Sequence, residues 1–291
     1  MERMLMSANK IESIESEIFK AAGGKRRFLA ELPFIFRQAI DELIDAPRTR
    51  RLRMNELEPN EKAVLGIKVE AALRYLLDFP RGKLDFRIGG HDVDVKFSIA
   101  TSWMIPPEAI GHVCILCSAD DAKSLYSFGL CEASLENLTA KGNRDQKRSF
   151  SSEGKKRISW LAHNEPFPSN IWETIDIVTA ESIFEPEGGT ERITRLFRAM
   201  TGKPIHRSTI HAVARQHDYM KRIRANQGAR DFLHPEGIVV LSGSQDGPLL
   251  RKLGISLGRD FVMPYRPRGH KEATLITAKS RHATNFRLSD R

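Results

Sequence analysis

Cysteine is scarce in this 291-residue chain, and long apolar runs are missing from it. Three cysteines are too few, and odd in number, for a disulfide framework, which favours a reducing cytoplasm. Cys114 and Cys117 have the spacing of half a zinc site, but no second pair accompanies them, so we interpret them as core residues. No run approaches the roughly 20 apolar residues of a membrane-spanning helix, so no membrane partner is expected. The N-terminal residues mix charge with apolar side chains and lack the apolar core of a signal peptide.

Positive charge is what the chain has in excess, with a formal net charge of +9. Residues up to Glu165 contain 26 Lys and Arg against 24 Asp and Glu, whereas the remainder contains 20 against 13. Between Arg192 and Arg230, ten basic residues accompany a single acidic residue, Asp218. Such a segment suits a polyanion such as nucleic acid, although a charge run can equally be a solvated surface.

Hydropathy patterns predict a first domain over residues 1–165. They indicate helices over 9–22, 28–45 and 61–78, followed by strands over 84–88, 92–98, 111–118 and 125–133. This order predicts an α/β (α+β) fold in which a mixed sheet is flanked by helices. Residues 141–157 contain seven Lys and Arg without a sustained apolar period, and we expect a flexible basic segment there.

Residues 166–291 form the second predicted domain, after a linker rich in Pro, Asn and Glu near 164–170. The patterns predict helices near 191–200, 207–214 and 217–225, a strand over 237–242, a short helix over 247–253 and a strand over 261–265. Helices followed by a strand hairpin are typical of a winged helix-turn-helix domain. The last twenty residues have a weak pattern and are expected to form a mobile tail.

The segment Gly89–Ser98 carries the most informative pattern, an Asp-x-Lys motif on a predicted strand. Side chains alternate between the two faces of a strand, so its apolar residues share one face and Asp92, Asp94 and Lys96 share the other. Asp85 lies on the preceding predicted strand, and the Gly-Gly turn between them is short enough to pair the two strands. That pairing brings Asp85 near Asp94.

Glu70 completes a candidate catalytic set of Glu70, Asp85, Asp94 and Lys96. Its helical neighbours are largely apolar, so its carboxylate needs a partner or a role, and an ion pair with Arg74 is the structural alternative. Carboxylates gathered in one place bind a hard cation such as Mg²⁺, and here Glu70, Asp85 and Asp94 are the candidate ligands. Phosphodiester hydrolysis needs such a cation, and a nearby lysine can hold and help deprotonate the attacking water. The alternative for Asp94 and Lys96 is an ordinary strand ion pair.

A turn at 201–209 leads into a predicted helix that can be capped by Ser208 or Thr209, with Arg207 at its entry. A helix over 210–222 places four polar residues roughly on one face, as in a helix that enters a DNA groove, namely His211, Arg215, Asp218 and Arg222. A basic face turned to solvent is the alternative. The complete set of predicted DNA-contacting residues is Lys147, Arg148, Arg207, Ser208, His211, Arg215, Lys221, Arg222, Arg224 and Arg230.

Several segments resemble the NaeI family of type II restriction endonucleases. In the first domain they are Glu61–Glu70, Gly89–Ser98, Trp103–His112 and Asn143–Arg148, and in the second His217–Arg224, Gly228–Arg230 and Leu233–Val239. The blocks Trp-Met-Ile-Pro-Pro-Glu and Pro-Glu-Gly-Ile are the most specific. The resemblance covers residues from about 50 to 242 and is weak on either side.

This resemblance implies a bacterial cytoplasmic homodimer that uses Mg²⁺ to cut both strands of a specific DNA site. In that family the N-terminal domain cuts, and a winged-helix domain similar to the catabolite activator protein binds a second DNA copy that activates cleavage. Glu70, Asp85, Asp94 and Lys96 all have the residue type that the family's catalytic positions require. A GC-rich palindromic site is expected by analogy. A nicking repair endonuclease of the MutH kind and a winged-helix transcription regulator without nuclease activity remain as alternatives.

Overall fold

The computed structural model describes residues 2–224 and 227–279, which belong to two compact units. The first unit contains the chain through Ile40 together with Glu58–Ser169, and the second contains Asp41–Leu57 together with the chain from Asn170 onward. None of the helices in these described residues is long and apolar enough to cross a membrane.

The domain boundary that the sequence predicts, after residue 165, differs from the division into these units chiefly in residues 41–57. The sequence patterns assign these residues to the first domain, whereas they belong to the second unit. The structure explains the difference by contacts distant in sequence. Nδ2 of Asn170 donates to the carbonyl of Leu52 at 2.8 Å, and the guanidinium carbon of Arg50 lies 4.6 Å from the centroid of the Phe184 ring. These contacts tie 41–57 to the second unit, and nothing in the local hydropathy of the segment indicates them.

The elements before residue 170 begin with four α-helices, continue with six strands and end with a short helix and one further strand. The helices are α1 (Glu2–Ala21), α2 (Lys25–Ile44), α3 (Ala46–Thr49), α4 (Pro59–Leu77) and α5 (Ser152–Lys156). The strands are β1 (Phe86–Ile88), β2 (His91–Ser98), β3 (Met104–Ile105), β4 (Val113–Asp120), β5 (Leu125–Glu132), β6 (Arg148–Ser149) and β7 (Ser159–Pro166). The predicted helices and strands of this part are present with shifted ends. The structure adds elements that the sequence patterns do not predict, namely the short helices α3 and α5, the strand β7 and the two-residue strands β3 and β6.

The first unit contains a five-stranded mixed sheet in the order β1-β2-β4-β5-β7. β2 and β4 are parallel, and the other neighbours are antiparallel. The predicted α+β class, a mixed sheet flanked by helices, is therefore confirmed. Almost every residue of β4 and β5 is buried, which is why their sequences read as continuous apolar runs rather than alternating ones.

The two faces of this sheet are covered differently. α4 packs on the face that contains Phe97, and a Cβ on Gly66 of α4 would lie 3.4 Å from the Phe97 Cβ, so this glycine permits a close approach. The opposite face is covered by an apolar cluster, which we call the Trp103 cluster. It consists of Trp103, Ile105, Ala109, Cys114, Leu116, Cys131, Ala133, Leu138, Phe150 and Ile158. The three cysteines are buried and free, as the interpretation of core residues requires.

The basic segment 141–157 is ordered, contrary to the expectation of a flexible stretch. β6 pairs with β3, and Ser151 caps α5 by accepting a hydrogen bond from the Gly154 amide. The side chain of Asn143 accepts hydrogen bonds from the amides of Asp145 and Lys147, both at 3.0 Å. Side-chain to backbone hydrogen bonds of this kind order a polar segment without any apolar period, which is why hydropathy alone mispredicts it.

The second unit combines helices with a small sheet. Its helices are α6 (Ile177–Phe184), α7 (Gly189–Ala199), α8 (Arg207–Ala214), α9 (Ala229–Leu233), α10 (Gly247–Leu253) and α11 (His270–Lys279), and its strands are β8 (Ile205–His206), β9 (Val239–Ser242) and β10 (Phe261–Tyr265). The antiparallel sheet has the order β8-β10-β9, so β9 and β10 are neighbours although α10 separates them in the chain. The predicted short helix over 247–253 is thus present as α10, and the two predicted strands pair antiparallel as β9 and β10.

The predicted helix over 207–214 is present as α8, but two other expectations in the second unit are corrected. A single helix over 210–222 does not form, because α8 ends at Ala214 and Arg215 adopts a left-handed conformation with φ of 54°. Only a short 3₁₀ turn, Tyr219–Arg222, follows. α11 occupies part of the predicted tail, and the remainder of that tail, residues 280–291, lies outside the described residues.

Candidate active site and basic surfaces

Asp94 and Lys96 lie on the face of β2 that contacts the Trp103 cluster. In the parallel pairing of β2 with β4, Asp94 is opposite Cys114, a member of that cluster. Asp94 is buried, and its Oδ2 lies 2.7 Å from Nζ of Lys96 in an ion pair that lacks hydrogen-bond geometry. The predicted Asp-x-Lys pair is thus formed, with a carboxylate oxygen that has no hydrogen-bond donor.

Asp85 lies immediately before β1, close to Asp94. β1 pairs with β2 so that Phe86 is opposite Val93, and one further step in this register brings Asp85 opposite Asp94. Oδ2 of Asp85 accepts a hydrogen bond from the amide of Val95 at 2.7 Å, which fixes the side chain toward β2. The structure therefore brings together the two carboxylates that the Gly-Gly turn predicts to be neighbours.

Burial raises the pKa of Asp94 from its usual 3.8 to about 6. Desolvation is the largest cause, because a carboxylate packed against apolar groups loses its hydration. The ammonium of Lys96 acts in the opposite direction, and the nearby carboxyl of Asp85 adds to the rise. A carboxylate held in this way gains from any additional positive charge that enters the cluster.

Glu70 projects from α4, one turn after Gly66, and is half-buried rather than fully inward. Its Oε1 accepts a hydrogen bond from Nη2 of Arg74 at 2.6 Å, so the ion pair considered from the sequence is present. The same nitrogen donates to the backbone carbonyl of Asp85 at 2.9 Å. Arg74 therefore links Glu70 to the start of β1. Sequence spacing indicates the contact with Glu70, but gives no signal for the contact with Asp85, eleven residues away.

The donor set fits a hard divalent cation such as Mg²⁺. Within residues 2–224 and 227–279, no three His, Cys, Asp or Glu side chains are gathered into a ready-made metal cage. Mg²⁺ rarely uses such a cage, because it keeps several waters and is commonly bound by one or two carboxylates together with substrate phosphates. Asp85 and Asp94 can supply two carboxylates, and the Oδ2 of Asp94 is paired with the ammonium of Lys96 at 2.7 Å without hydrogen-bond geometry. Glu70 accepts a hydrogen bond from Arg74 and does not form a three-carboxylate group with Asp85 and Asp94 in the described residues.

Asp92 shares the polar face of β2 but has a structural position. Its Oδ1 accepts a hydrogen bond from the Lys83 amide at 2.8 Å, and its Oδ2 lies 3.5 Å from Nη1 of Arg87. A Cβ on Gly82 would overlap Oδ1 of Asp92, so this glycine is needed where the loop crosses the strand. Asp92 thus anchors the loop before β1, and with it the position of Asp85.

The two candidate phosphate-binding residues of the first unit differ in exposure and in side-chain hydrogen bonding. Lys147 is exposed, and its amide is bound to the side chain of Asn143. Arg148 is half-buried on β6, and its Nη1 donates to the carbonyl of Thr139 at 3.3 Å. Lys147 is therefore available to a DNA backbone, whereas Arg148 takes part in holding the turn.

The residues at the start of α8 are held by neighbours. His206, rather than Ser208 or Thr209, is the N-cap, because its ring accepts from the Ser208 amide while Oγ of Ser208 lies 2.7 Å from its Nδ1. Burial lowers the pKa of His206 to about 4, which keeps this ring neutral and able to accept. Nη1 of Arg207 donates to Oδ1 of Asp260 at 2.9 Å. Ser208 and Arg207 thus have structural contacts in the described state.

The other candidates of the second unit form a mixed set. The ring of His211 lies 4.9 Å from that of Tyr219. Lys221 and Arg222 approach the carboxylate of Asp218 at 3.4 and 3.5 Å. Three residues remain from the predicted set, namely Arg215 and Arg224, which are exposed, and Arg230, which is partly buried and donates to the Val240 carbonyl at 3.0 Å. Because α8 ends at Ala214, the predicted common face of His211, Arg215 and Arg222 is not formed on one helix.

One residue of the basic stretch has a role that charge counting misses. Arg192 of α7 is 3% exposed and donates to the carbonyls of Val213 and Ala214 at the end of α8, and to those of Pro186 and Glu187. A buried guanidinium bound to helix-end carbonyls stabilises the fold and is not available to a polyanion.

Comparison with known proteins identifies the family of this chain. Residues 24–262 match the family model described as restriction endonuclease NaeI. The chain is also 34% identical, over 237 residues, to a protein named type II restriction enzyme NaeI from Lentzea aerocolonigenes, and this alignment covers 77% of the chain and 74% of that relative. The family match includes α4, β1 and β2, which carry the acidic cluster, and most of the second unit. This chain belongs to the NaeI family of restriction endonucleases and is a type II site-specific deoxyribonuclease.

Proposed function

We propose that this protein cuts both strands of a specific DNA site in a Mg²⁺-dependent reaction at the cluster of Asp85, Asp94 and Lys96. The observation that carries the proposal is the meeting of two carboxylates and one ammonium on the same face of adjacent strands. Type II restriction endonucleases generally use divalent metal ions, and two neighbouring carboxylates are the ligands that Mg²⁺ prefers.

Each residue of the cluster has a distinct part in this proposal. Asp85 and Asp94 would hold Mg²⁺, which would supply positive charge next to the scissile phosphate. Lys96 is partly exposed beside Asp94, so it can orient the attacking water, help to remove its proton and place a positive charge next to the scissile phosphate. Glu70 contributes a further oxygen or holds a water molecule, and Arg74 positions it by the bond at 2.6 Å.

The second unit is proposed to be a winged-helix DNA-binding domain. The order of its elements supports this, because β8 lies between α7 and α8 and forms a three-stranded antiparallel sheet with the later strands β9 and β10, which α10 separates in the chain. The exposed side chains of Arg215, Lys221 and Arg224 supply positive charge for DNA phosphates. By resemblance to the family, this domain binds a second, effector copy of the DNA, the chain acts as a homodimer, and the site is a GC-rich palindrome.

Cleavage of supercoiled plasmid and phage DNA by the full chain tests the proposal. With Mg²⁺, the unaltered protein is expected to give discrete linear fragments, whereas Asp94→Asn and reactions containing EDTA give none. Nicked circles without linear product would support a nicking enzyme of the MutH kind. Tight DNA binding without any cleavage in Mg²⁺ or Mn²⁺ would favour a DNA-binding regulator.

A further inference from the structure

The turn over residues 140–147, which we call the basic turn, connects the segment Leu138–Thr139 to β6 in the first unit. On one side of β6, the Thr139 amide donates to the Ser149 carbonyl at 2.8 Å, and Leu138 forms an isolated β-bridge with Phe150. On the other side, β6 pairs with β3 in a two-stranded sheet. Both arms of the basic turn are therefore held by backbone hydrogen bonds at its base.

The basic turn is internally rigid. Besides the two hydrogen bonds accepted by its side chain, Asn143 donates from its amide to the Lys147 carbonyl at 2.8 Å and accepts from the Gln146 amide at 2.9 Å. A Cβ on Gly142 would lie 2.8 Å from the carbonyl group of Gln146, so the two arms of the turn are in close contact. Every one of these bonds is local, and together they fix the backbone without using any side chain beyond Asn143.

Four consecutive side chains at the tip have no described bond to the rest of the protein. Arg144, Asp145, Gln146 and Lys147 are all exposed, and none of these side chains takes part in a hydrogen bond or ion pair with the described residues. Gln146 has φ of 58°, a conformation that glycine adopts at lower cost. A rigid backbone that presents free polar side chains is suited to recognition, because little conformational freedom is lost on binding.

The base of the basic turn is tied to the face of the sheet that contains the acidic cluster. Ile105 of β3 and Phe150, directly after β6, both belong to the Trp103 cluster, as does Cys114. Cys114 is opposite Asp94 in the sheet, and the charge of Asp94 contributes to the raised pKa of its thiol. A continuous set of packed side chains therefore fixes the basic turn relative to Asp94. A protein that reads and cuts the same duplex needs a fixed distance between the residues that read bases and the residues that cut.

We propose that the basic turn enters the major groove of the DNA and reads bases, with Arg144 contacting guanine and Asp145 contacting the amino group of cytosine. The major groove admits a two-stranded β-ribbon. A guanidinium can donate two hydrogen bonds to O6 and N7 of guanine, and a carboxylate accepts from N4 of cytosine. A carboxylate at the tip disfavours a purely phosphate-binding role, because it repels the backbone. The inference rests on the proposed function only in that the same unit cuts the DNA that it reads.

Selection of DNA from a pool of randomised duplexes, in EDTA so that no cleavage occurs, tests this inference. The unaltered full chain is compared with Arg144→Ala, Arg144→Lys and Asp145→Asn. Arg144→Lys keeps the charge but loses the planar fork of donors, so it separates base reading from phosphate binding. Lys123→Ala is the matched control, because Lys123 is exposed in the same unit but pairs with Asp120 on the turn between β4 and β5.

Arg144→Ala is expected to lose the preference for guanine at one position of the selected site, and Arg144→Lys to weaken it, because an ammonium lacks the planar fork of donors. Affinity for that site should fall about 5- to 150-fold, the equivalent of roughly 1–3 kcal/mol, while Lys123→Ala keeps the full preference. Asp145→Asn should alter the preference for cytosine at a neighbouring position. The inference is overturned if Arg144→Lys retains the whole preference and Arg144→Ala weakens binding to all sequences equally, which is the behaviour of a phosphate contact.

Cleavage is measured separately, with Mg²⁺, so that the two proposals can fail independently. If the unaltered protein cuts no DNA but the Arg144 variants lose one selected position, the proposed nuclease activity fails and the reading by the basic turn stands. If the protein cuts DNA and the Arg144 variants select and cut the same sites as the unaltered chain, the nuclease proposal stands and the basic turn does not read bases.

Discussion

Nζ of Lys96 lies 2.7 Å from Oδ2 of Asp94, two residues earlier on the same strand. The pair is asymmetric, because the carboxylate side chain is 6% exposed whereas the lysine side chain is 24% exposed. Asp94 is thus anchored in the apolar cluster, and the ammonium extends from it toward the surface. An ion pair of this shape leaves a positive charge where a phosphate can approach and a carboxylate where a cation is favoured.

Substitution Asp94→Asn is expected to lower the rate of DNA cleavage by a hundredfold or more, roughly the loss seen when a key charge is removed from an active site. The melting temperature should stay the same or rise, because the desolvation of a buried carboxylate is relieved. Plasmid cleavage and thermal unfolding of the same preparations measure the two effects. Asp92→Asn is the control, since it keeps the oxygen that accepts from the Lys83 amide at 2.8 Å. If Asp92→Asn lowers the cleavage rate as much as Asp94→Asn does, the effect comes from the negative charge of the strand and not from a specific role of Asp94.

The contribution of Asp94 to the stability of the metal-free protein is expected to fall as the pH rises from about 4 to about 6. The pKa of Asp94 is raised from 3.8 to about 6 in the folded state, so the folded protein binds its proton more tightly than the unfolded chain does. This contribution is fully present below pH 4 and lost above about pH 6, and amounts to about 3 kcal/mol or less at 1.4 kcal/mol per pKa unit. Urea unfolding in EDTA across this range, compared with Asp94→Asn, isolates it. The variant should lack this part of the slope, and an identical slope in both proteins would contradict the assignment to Asp94.

Substitution Glu70→Gln separates the two possible roles of Glu70. The amide oxygen of Gln can still accept from Nη2 of Arg74, so unfolding free energy should change by less than about 1 kcal/mol. If the carboxylate contributes to catalysis, the cleavage rate should fall at least tenfold, with DNA affinity in EDTA unchanged. Unaltered cleavage by Glu70→Gln, together with reduced stability in Arg74→Ala, would leave Glu70 with the ion pair as its only role.

Two arginines of the basic stretch should respond in opposite ways. Arg192→Met leaves several helix-end carbonyls without a donor, so the second unit should lose about 2–4 kcal/mol of stability. Arg215→Ala, at an exposed position, should change stability by less than about 0.5 kcal/mol but weaken DNA binding and lower the salt dependence by about one phosphate contact. Unfolding curves and affinities at several salt concentrations provide the measurements. A reduced salt dependence in Arg192→Met, with the fold intact, would contradict this division.

Much of the fold and of the candidate active site is predictable from local pattern. The alternation in β2 separates Asp94 and Lys96 from the valines, and the Gly-Gly turn pairs β1 with β2, which determines that Asp85 meets Asp94. Covalent connection makes these contacts local, so spacing is sufficient to predict them. The apolar runs of β4 and β5 likewise indicate buried central strands, whatever lies around them.

Local pattern fails where backbone geometry or distant contacts decide. The left-handed conformation of Arg215 ends α8 at Ala214, eight residues before the end of the predicted recognition helix over 210–222. The basic and apolar residues nevertheless continue the helical period beyond Ala214. The N-cap of α8 is His206, a residue type less common there than Ser or Thr, because β8 pairs with β10 and fixes the histidine at the helix entry. Neither outcome follows from propensity.

The excess of charge in the second half of the chain, the Asp-x-Lys strand and its pairing with Asp85 are predictable from the sequence, because each depends on composition or on neighbours in the chain. Which of the charges are available depends on the three-dimensional fold. It buries Arg192 among carbonyls, ties Glu70 to Arg74 and the Asp85 carbonyl, and leaves Arg144 free at the tip of a rigid turn. The physical reason is that burial and hydrogen-bond partners come from residues far apart in the chain, which no local spacing encodes.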